Sequence, residues 1–181
     1  MTTKLNNPSL AATANKNLKT KTKRAFALLM LALLAPAAAW AQSTFGGGSG
    51  TETDPYIIAT TDDMDALAAL VNGGNSYNGK FFKMTADLDF SGKDYTPVGN
   101  DEYGFKGTFN GNGHTISHVI IQSDSDFIGL FGLLESEGSV NGLTLGEGSS
   151  IHGFNRVGGI VGLCYGAING CNIVEGVTIS A

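Results

Sequence analysis

The chain has 181 residues, of which 11 are Lys or Arg and 16 are Asp or Glu, for a formal net charge of −5; it has two cysteines. The charges are segregated: all 16 acidic residues but only five basic ones (Lys80, Lys83, Lys93, Lys106 and Arg156) follow residue 41, so residues 42–181 carry −11. Such a surface repels polyanions, which excludes nucleic acid and anionic membranes as partners, and two cysteines cannot form a structural zinc site.

In chain order, Lys4, Lys16, Lys19, Lys21, Lys23 and Arg24 precede the apolar run "AFALLMLALLAPAAAWA" (25–41). A basic lead, a short run interrupted by Pro36, and small Ala39 and Ala41 at −3 and −1 predict a secretory signal peptide over residues 1–41. Cleavage after Ala41 leaves a chain beginning at Gln42, secreted or held at the cell surface and not membrane-spanning. An uncleaved anchor helix is the competing reading; Pro36 and the alanines behind it favour cleavage. No Cys follows the cut, so a lipoprotein anchor is not expected.

The remaining 140 residues are one domain by length. All 26 glycines fall there, about 19% of it, against an average of about 7%. Periodic apolar residues among them point to an ordered β architecture rich in turns rather than a low-complexity chain. Residues 42–55 form a Gly/Ser-rich lead, expected to be mobile at its start. Residues 56–104 are assigned to an N-terminal capping region. "YII" (56–58) reads as a short strand. "TTDDMDALAALVNGG" (60–74) reads as a helix, capped by Thr60 or Thr61, with Asp62, Asp63 and Asp65 at its positive end. Met64, Leu67, Leu70 and Val71 make its apolar face, and Asn72-Gly73-Gly74 ends it.

From Lys80 the period becomes strand-like. "FFKMTADLDF" (81–90) alternates, and Phe105, Gly107, Phe109, Gly111 and Gly113 share one parity. Asn-Gly pairs mark turns at 72, 78, 110, 112, 141 and 169. Residues 105–181 hold repeats. Ile116-x-x-Val119-x-Ile121, Val140-x-x-Leu143-x-Leu145 and Ile168-x-x-Cys171-x-Ile173 follow one another at offsets of 24 and 28. "GLFGLL" (129–134) returns as "GIVGLC" (159–164) at an offset of 30. Units this short have no room for a helix, which predicts an all-β fold, a right-handed parallel β-helix with a short N-terminal capping α-helix. In such a stack Leu130 and Phe131 lie over Ile160 and Val161, one of each pair pointing into the core. Gly129 and Gly132 then lie over Gly159 and Gly162, at a bend or a close backbone approach.

"GLFG" (129–132) and "GIVG" (159–162), with "GSGTETDPYII" (48–58), "FKMTADLDFSG" (82–92) and "FKGTFNGNGHTISHVII" (105–121), resemble bacterial exported proteins with GLUG motifs. The second repeat departs only in Ile for Leu. The resemblance covers Phe45 to Ala181 and implies an exported or surface β-rich solenoid of unassigned biochemical activity. Some relatives are zinc peptidases that cleave immunoglobulin A through a separate domain. No H-E-x-x-H occurs here, so that activity is not carried over.

Candidate chemistry is sparse. Asp87 and Asp89 share one strand face, as clustered carboxylates do in β-helix sugar hydrolases and lyases, but an exposed polar face beside buried Leu88 and Phe90 is the simpler account. His114, His118 and His152 are expected on the surface or in turns, because helical metal-ligand spacing has no meaning on a strand. Cys164 and Cys171 are compatible with a bridge or with free thiols; geometry decides. Tyr77, Tyr95 and Tyr103 are available for sugar stacking, or are ordinary loop tyrosines. No catalytic, cofactor-binding or metal residue is assigned. The leading expectation is a non-enzymatic exported solenoid for adhesion, for binding of an extracellular glycan or host protein, or for spacing. Residues 42–181 are expected to self-associate through the C-terminal coil, unless the natural chain continues there or docks onto a partner. The alternatives are a polysaccharide-active β-helix enzyme and the N-terminal fragment of a larger surface protein.

Overall fold

The computed structural model describes residues 44–181; the signal peptide expected over 1–41 lies outside them. Each circuit of the chain contributes short strands to parallel ladders. The longest ladder runs through β1 (Tyr56–Ile58), β2 (Phe81–Met84), β4 (Thr108–Asn110), β8 (Ser139–Asn141) and β12 (Ala167–Asn169). A second holds β3 (Leu88–Asp89), β5 (Thr115–Ser117), β9 (Thr144–Leu145) and β13 (Asn172–Ile173). A third holds β6 (Ile120–Gln122), β10 (Ser150–His152) and β14 (Thr178–Ser180), and a fourth pairs β7 (Phe131–Leu134) with β11 (Val161–Cys164). Every strand pairing among the described residues is parallel. The molecule is a parallel β-solenoid, and its Asn-Gly pairs turn corners rather than close hairpins. Gly142 and Gly170 make equivalent corners at φ 59, a backbone region where a β-carbon is strained.

Alternation decides which side chains enter the core. Phe82, Phe109 and Val140 stack along the first ladder, and Ile116 and Leu145 along the second; each of these is at most 1% exposed. The register corrects one expectation. Val140 lies over Phe109, not over Ile116, and Ile116 pairs with Leu145. Between Asn110 and Thr115 the earlier coil carries four corner residues, where Asn141 and Thr144 are separated by two. The first triad is therefore a look-alike out of register. The second and third are true equivalents, with Val140 over Ile168 and Leu145 over Ile173.

The glycine motif has the expected register, Phe131 over Val161, and its cause is close backbone approach. A β-carbon on Gly132 would lie 2.3 Å from the Gly99 carbonyl oxygen, and one on Gly162 would lie 2.6 Å from that of Arg156. The expectation that only one of each apolar pair points inward fails in the earlier coil, where Leu130 and Phe131 are both fully buried. The preceding coil covers this strand: Val98 is bridged in parallel to Phe131 and donates its N–H to the Leu130 carbonyl at 3.0 Å, and the buried Tyr95 hydroxyl donates to the same oxygen at 3.0 Å.

The parallel pair β1–β2 needs a crossover, and helix α1 (Thr61–Asn72) supplies it. Thr60 and Asp63 form a reciprocal capping box, an arrangement that stabilises a helix start by about 1 kcal/mol. Asp62 and Asp65 pair with Lys93. Met64, Leu67, Ala68 and Val71 are buried against the core, whereas Leu70 is only half-buried. The Gly/Ser-rich lead is anchored at Phe45, which is buried. Gly46 donates to the Ile57 carbonyl, Ile57 donates to that of Gly47, and Phe45 stacks within 6.1 Å of Tyr56, Tyr77 and Phe82. The outer edge of β1 is thereby covered. At the opposite end, Ile168, Ile173 and Ile179 are 43%, 41% and 39% exposed.

Candidate functional site: the outer face of the second ladder

On β3, Leu88 is buried, and its neighbours Asp87 and Asp89 point outward. The expected shared face is real, and the next coil occupies both carboxylates. Asp87 Oδ1 accepts the Thr115 N–H at 2.9 Å and lies 2.9 Å from His114 Nδ1. Asp89 Oδ1 accepts the Ser91 N–H at 2.9 Å and the Ser91 hydroxyl at 2.7 Å, and lies 2.8 Å from His118 Nδ1. The Thr115 amide, then His114, hold the Asp87 carboxyl below its ordinary range. Ser91, then His118, do the same for Asp89. His114 and His118 are therefore surface residues that stitch one coil to the next. His152 makes a similar contact, 2.9 Å from Ser180 Oγ.

Beside these pairs lies an open cavity of about 500 Å³, lined by Asp87, Thr115, Ser117, Glu147 and Glu175 among others. Carboxylates from three coils converge on it, and no Lys or Arg lines it. Glycoside hydrolysis needs one carboxylic acid that holds its proton near neutral pH. Asp87 and Asp89 are shifted the opposite way. The arrangement ties Asp87 and Asp89 into contacts with the next coil and leaves neither as the protonated acid.

The other candidates disperse. Cys164 ends β11 and is exposed, Cys171 lies in the corner between β12 and β13, and both thiols are free. Tyr95 is buried, with its hydroxyl pushed far up by desolvation. Tyr77 belongs to the aromatic cluster around Phe45 and Phe82, and Tyr103 is exposed. The Asp–His pairs themselves carried a readable signal. Their separations of 27 and 29 residues match the repeat length, so polar residues one period apart are neighbours across the ladder.

A stability consequence follows. Carboxyls with depressed native pKa values contribute stability that is fully present above their unfolded value near 3.8 and is lost as pH falls through the lower native values. The Asp87→Asn/Asp89→Asn double variant should show a shallower loss of thermal midpoint between about pH 4 and pH 2 than the unmodified chain. Parallel acid limbs would show that these contacts contribute nothing to folding.

No protein-family profile matches the chain. It is 33% identical over 138 residues to a protein named as a Gly-rich membrane protein from Evansella cellulosilytica, covering 74% of this chain and 16% of that protein. It is likewise 33% identical over 132 residues to a protein named halomucin from Haloquadratum walsbyi, covering 67% of this chain and 1% of the relative. The chain thus spans a small part of the relatives it matches. A crystal structure from Bacteroides ovatus, assigned by name to an immunoglobulin A1 protease, superposes with a TM-score of 0.57 at 21% identity, over 74% of this chain and 41% of that one. That likeness concerns the fold. No helix among the described residues is long and apolar enough to cross a membrane.

Proposed function

We propose that the protein is an exported, non-enzymatic β-solenoid of the GLUG-motif type, displayed at the cell surface as a binding or spacing module. The observation that carries this reading is the use of Asp87 and Asp89, the best catalytic candidates, as anionic cross-coil anchors for His114, His118 and Thr115. Two relatives whose names refer to a membrane protein and to halomucin support a surface setting. In this reading residues 1–41 are removed on export, residues 56–104 cap the solenoid, and residues 105–181 are its coils. The exposed apolar edge of the coil at residues 167–180 is part of the proposal as a contact surface, for a second copy, a partner or further chain.

N-terminal sequencing of protein recovered from the producing cell should give Gln42, and intact cells treated with protease should lose the protein. A retained Met1 in a protease-protected protein would refute export. A polysaccharide-active enzyme is the second reading, favoured by the three-coil carboxylate cavity. The purified protein should leave the viscosity of polysaccharide solutions unchanged, with or without Ca²⁺. Cleavage abolished by Asp87→Asn would establish the enzyme instead.

A further inference from the structure

Away from the Asp–His face, a cleft separates residues 94–101 from residues 120–128. Two cavities of about 310 and 420 Å³ meet there and share Thr96, Pro97, Ser123 and Ile128. These volumes fall in the range of small-ligand sites, about 300–1,000 Å³. Both walls are held in place before any ligand arrives. On one side, Asn72 at the end of α1 donates through Nδ2 to the Pro97 carbonyl at 3.0 Å and accepts the Gly99 N–H at 2.8 Å. Val98, between them, is bridged to Phe131. On the other side, Ser123 Oγ accepts the Ser125 N–H at 3.1 Å.

The second wall carries the unusual feature. Phe127 lines the cleft with φ 64, and Arg156, one coil on, has φ 53. A bulky aromatic residue at positive φ is a backbone outlier that Gly or Asn would relieve. The strained pair forms a stack: the Arg156 guanidinium lies 5.0 Å from the Phe127 ring centroid and is ion-paired to Asp126 at 2.5 Å. The ring is thus fixed beside the cavity. Thr96, Asp101, Gln122 and Ser125 present exposed polar side chains along the same cleft.

A rigid ring beside hydroxyl, amide and carboxylate groups matches the alternating apolar and hydroxyl faces of a sugar. Charge narrows the class. Asp126 is neutralised by Arg156, but Asp94 and Asp101 remain on the cleft, in a region of net charge −11, which disfavours uronate and sulfate polymers. We propose that this cleft binds a neutral glycan chain, with Phe127 as the stacking platform. The proposal rests on the surface-binding reading and names its ligand class.

The test is affinity electrophoresis of purified residues 42–181 through gels containing laminarin, mannan or hydroxyethyl cellulose, with polygalacturonate as the acidic comparison. At least one neutral polymer should retard the protein, and polygalacturonate should not. Phe127→Gly deletes the ring and relieves the backbone, so folding is preserved while retardation falls about tenfold. Phe127→Tyr should keep it, and Gln122→Ala should weaken it. No retardation by any neutral polymer, equal retardation by polygalacturonate, or full retardation of Phe127→Gly would each overturn the proposal. Surface display is scored separately by protease treatment of intact cells. A displayed protein that binds none of the polymers refutes the cleft alone, whereas a protein confined inside the cell refutes the surface reading, and binding is still read on purified protein.

Discussion

Leu145→Asp should prevent folding, and the same substitution one coil later, Ile173→Asp, should be tolerated. The two residues occupy one ladder position and pair directly. Leu145 is fully buried and Ile173 is 41% exposed. A carboxylate at Leu145 would meet Ile116 on one side and Ile173 on the other, with no cation or donor side chain in that stack. Burying an unpaired charge costs several kcal/mol or forces its protonation, against a total stability for a domain of about 5–15 kcal/mol. The expected result is loss of strand circular dichroism and of a cooperative urea transition for Leu145→Asp. Ile173→Asp should keep both, with a loss of no more than about 2 kcal/mol. Equal behaviour of the two variants would show that the last coil is as enclosed as the one before it.

The polypeptide of residues 42–181 should self-associate through that last coil. Val140, Leu145 and Ile151 are fully buried, while the residues that pair with them one coil on, Ile168, Ile173 and Ile179, are roughly 40% exposed. The outer sides of β11, β12, β13 and β14 pair with no strand among the described residues. Apolar side chains beside unpaired strand edges recruit another chain. Helix α1 and the Phe45 segment cover the β1 edge at the other end, which disfavours head-to-tail stacking along the first ladder and makes a two-fold, tail-to-tail dimer the closed solution. Sedimentation across a concentration series should show a monomer–dimer equilibrium, shifted to monomer by Ile168→Lys/Ile179→Lys. A monomer at the highest soluble concentration would overturn this.

Much of the architecture was legible because its determinants are local. The alternation of Phe82, Met84, Leu88 and Phe90 defines an inner face without reference to the rest of the fold. The Thr60–Asp63 pair and the apolar face of α1 announce a capped helix. The 30-residue return of the glycine motif gave the register of β7 on β11. The Asp–His stitches were harder. Asp87 and Asp89 could be placed on one face, but their partners depend on which residue the next coil brings alongside. Phe127 carried no sequence signal, because its positive φ arises from the loop geometry before the glycine motif.

The sequence by itself determined the alternation of β2, β3 and β4, the helix and its cap, and the repeated solenoid architecture, since period-two alternation and capping act within a few residues. Tertiary structure alone decided how coils register and what covers them. The Gly111–His114 corner shifts the early coil and takes Ile116 out of its apparent triad. Residues 95–98 supply the preceding rung against Leu130 and Phe131, the lead packs Phe45 into an aromatic cluster, and two loops line the cleft at Phe127. Each of these depends on contacts between residues tens of positions apart, and the length of the intervening corners sets those contacts as much as their composition does.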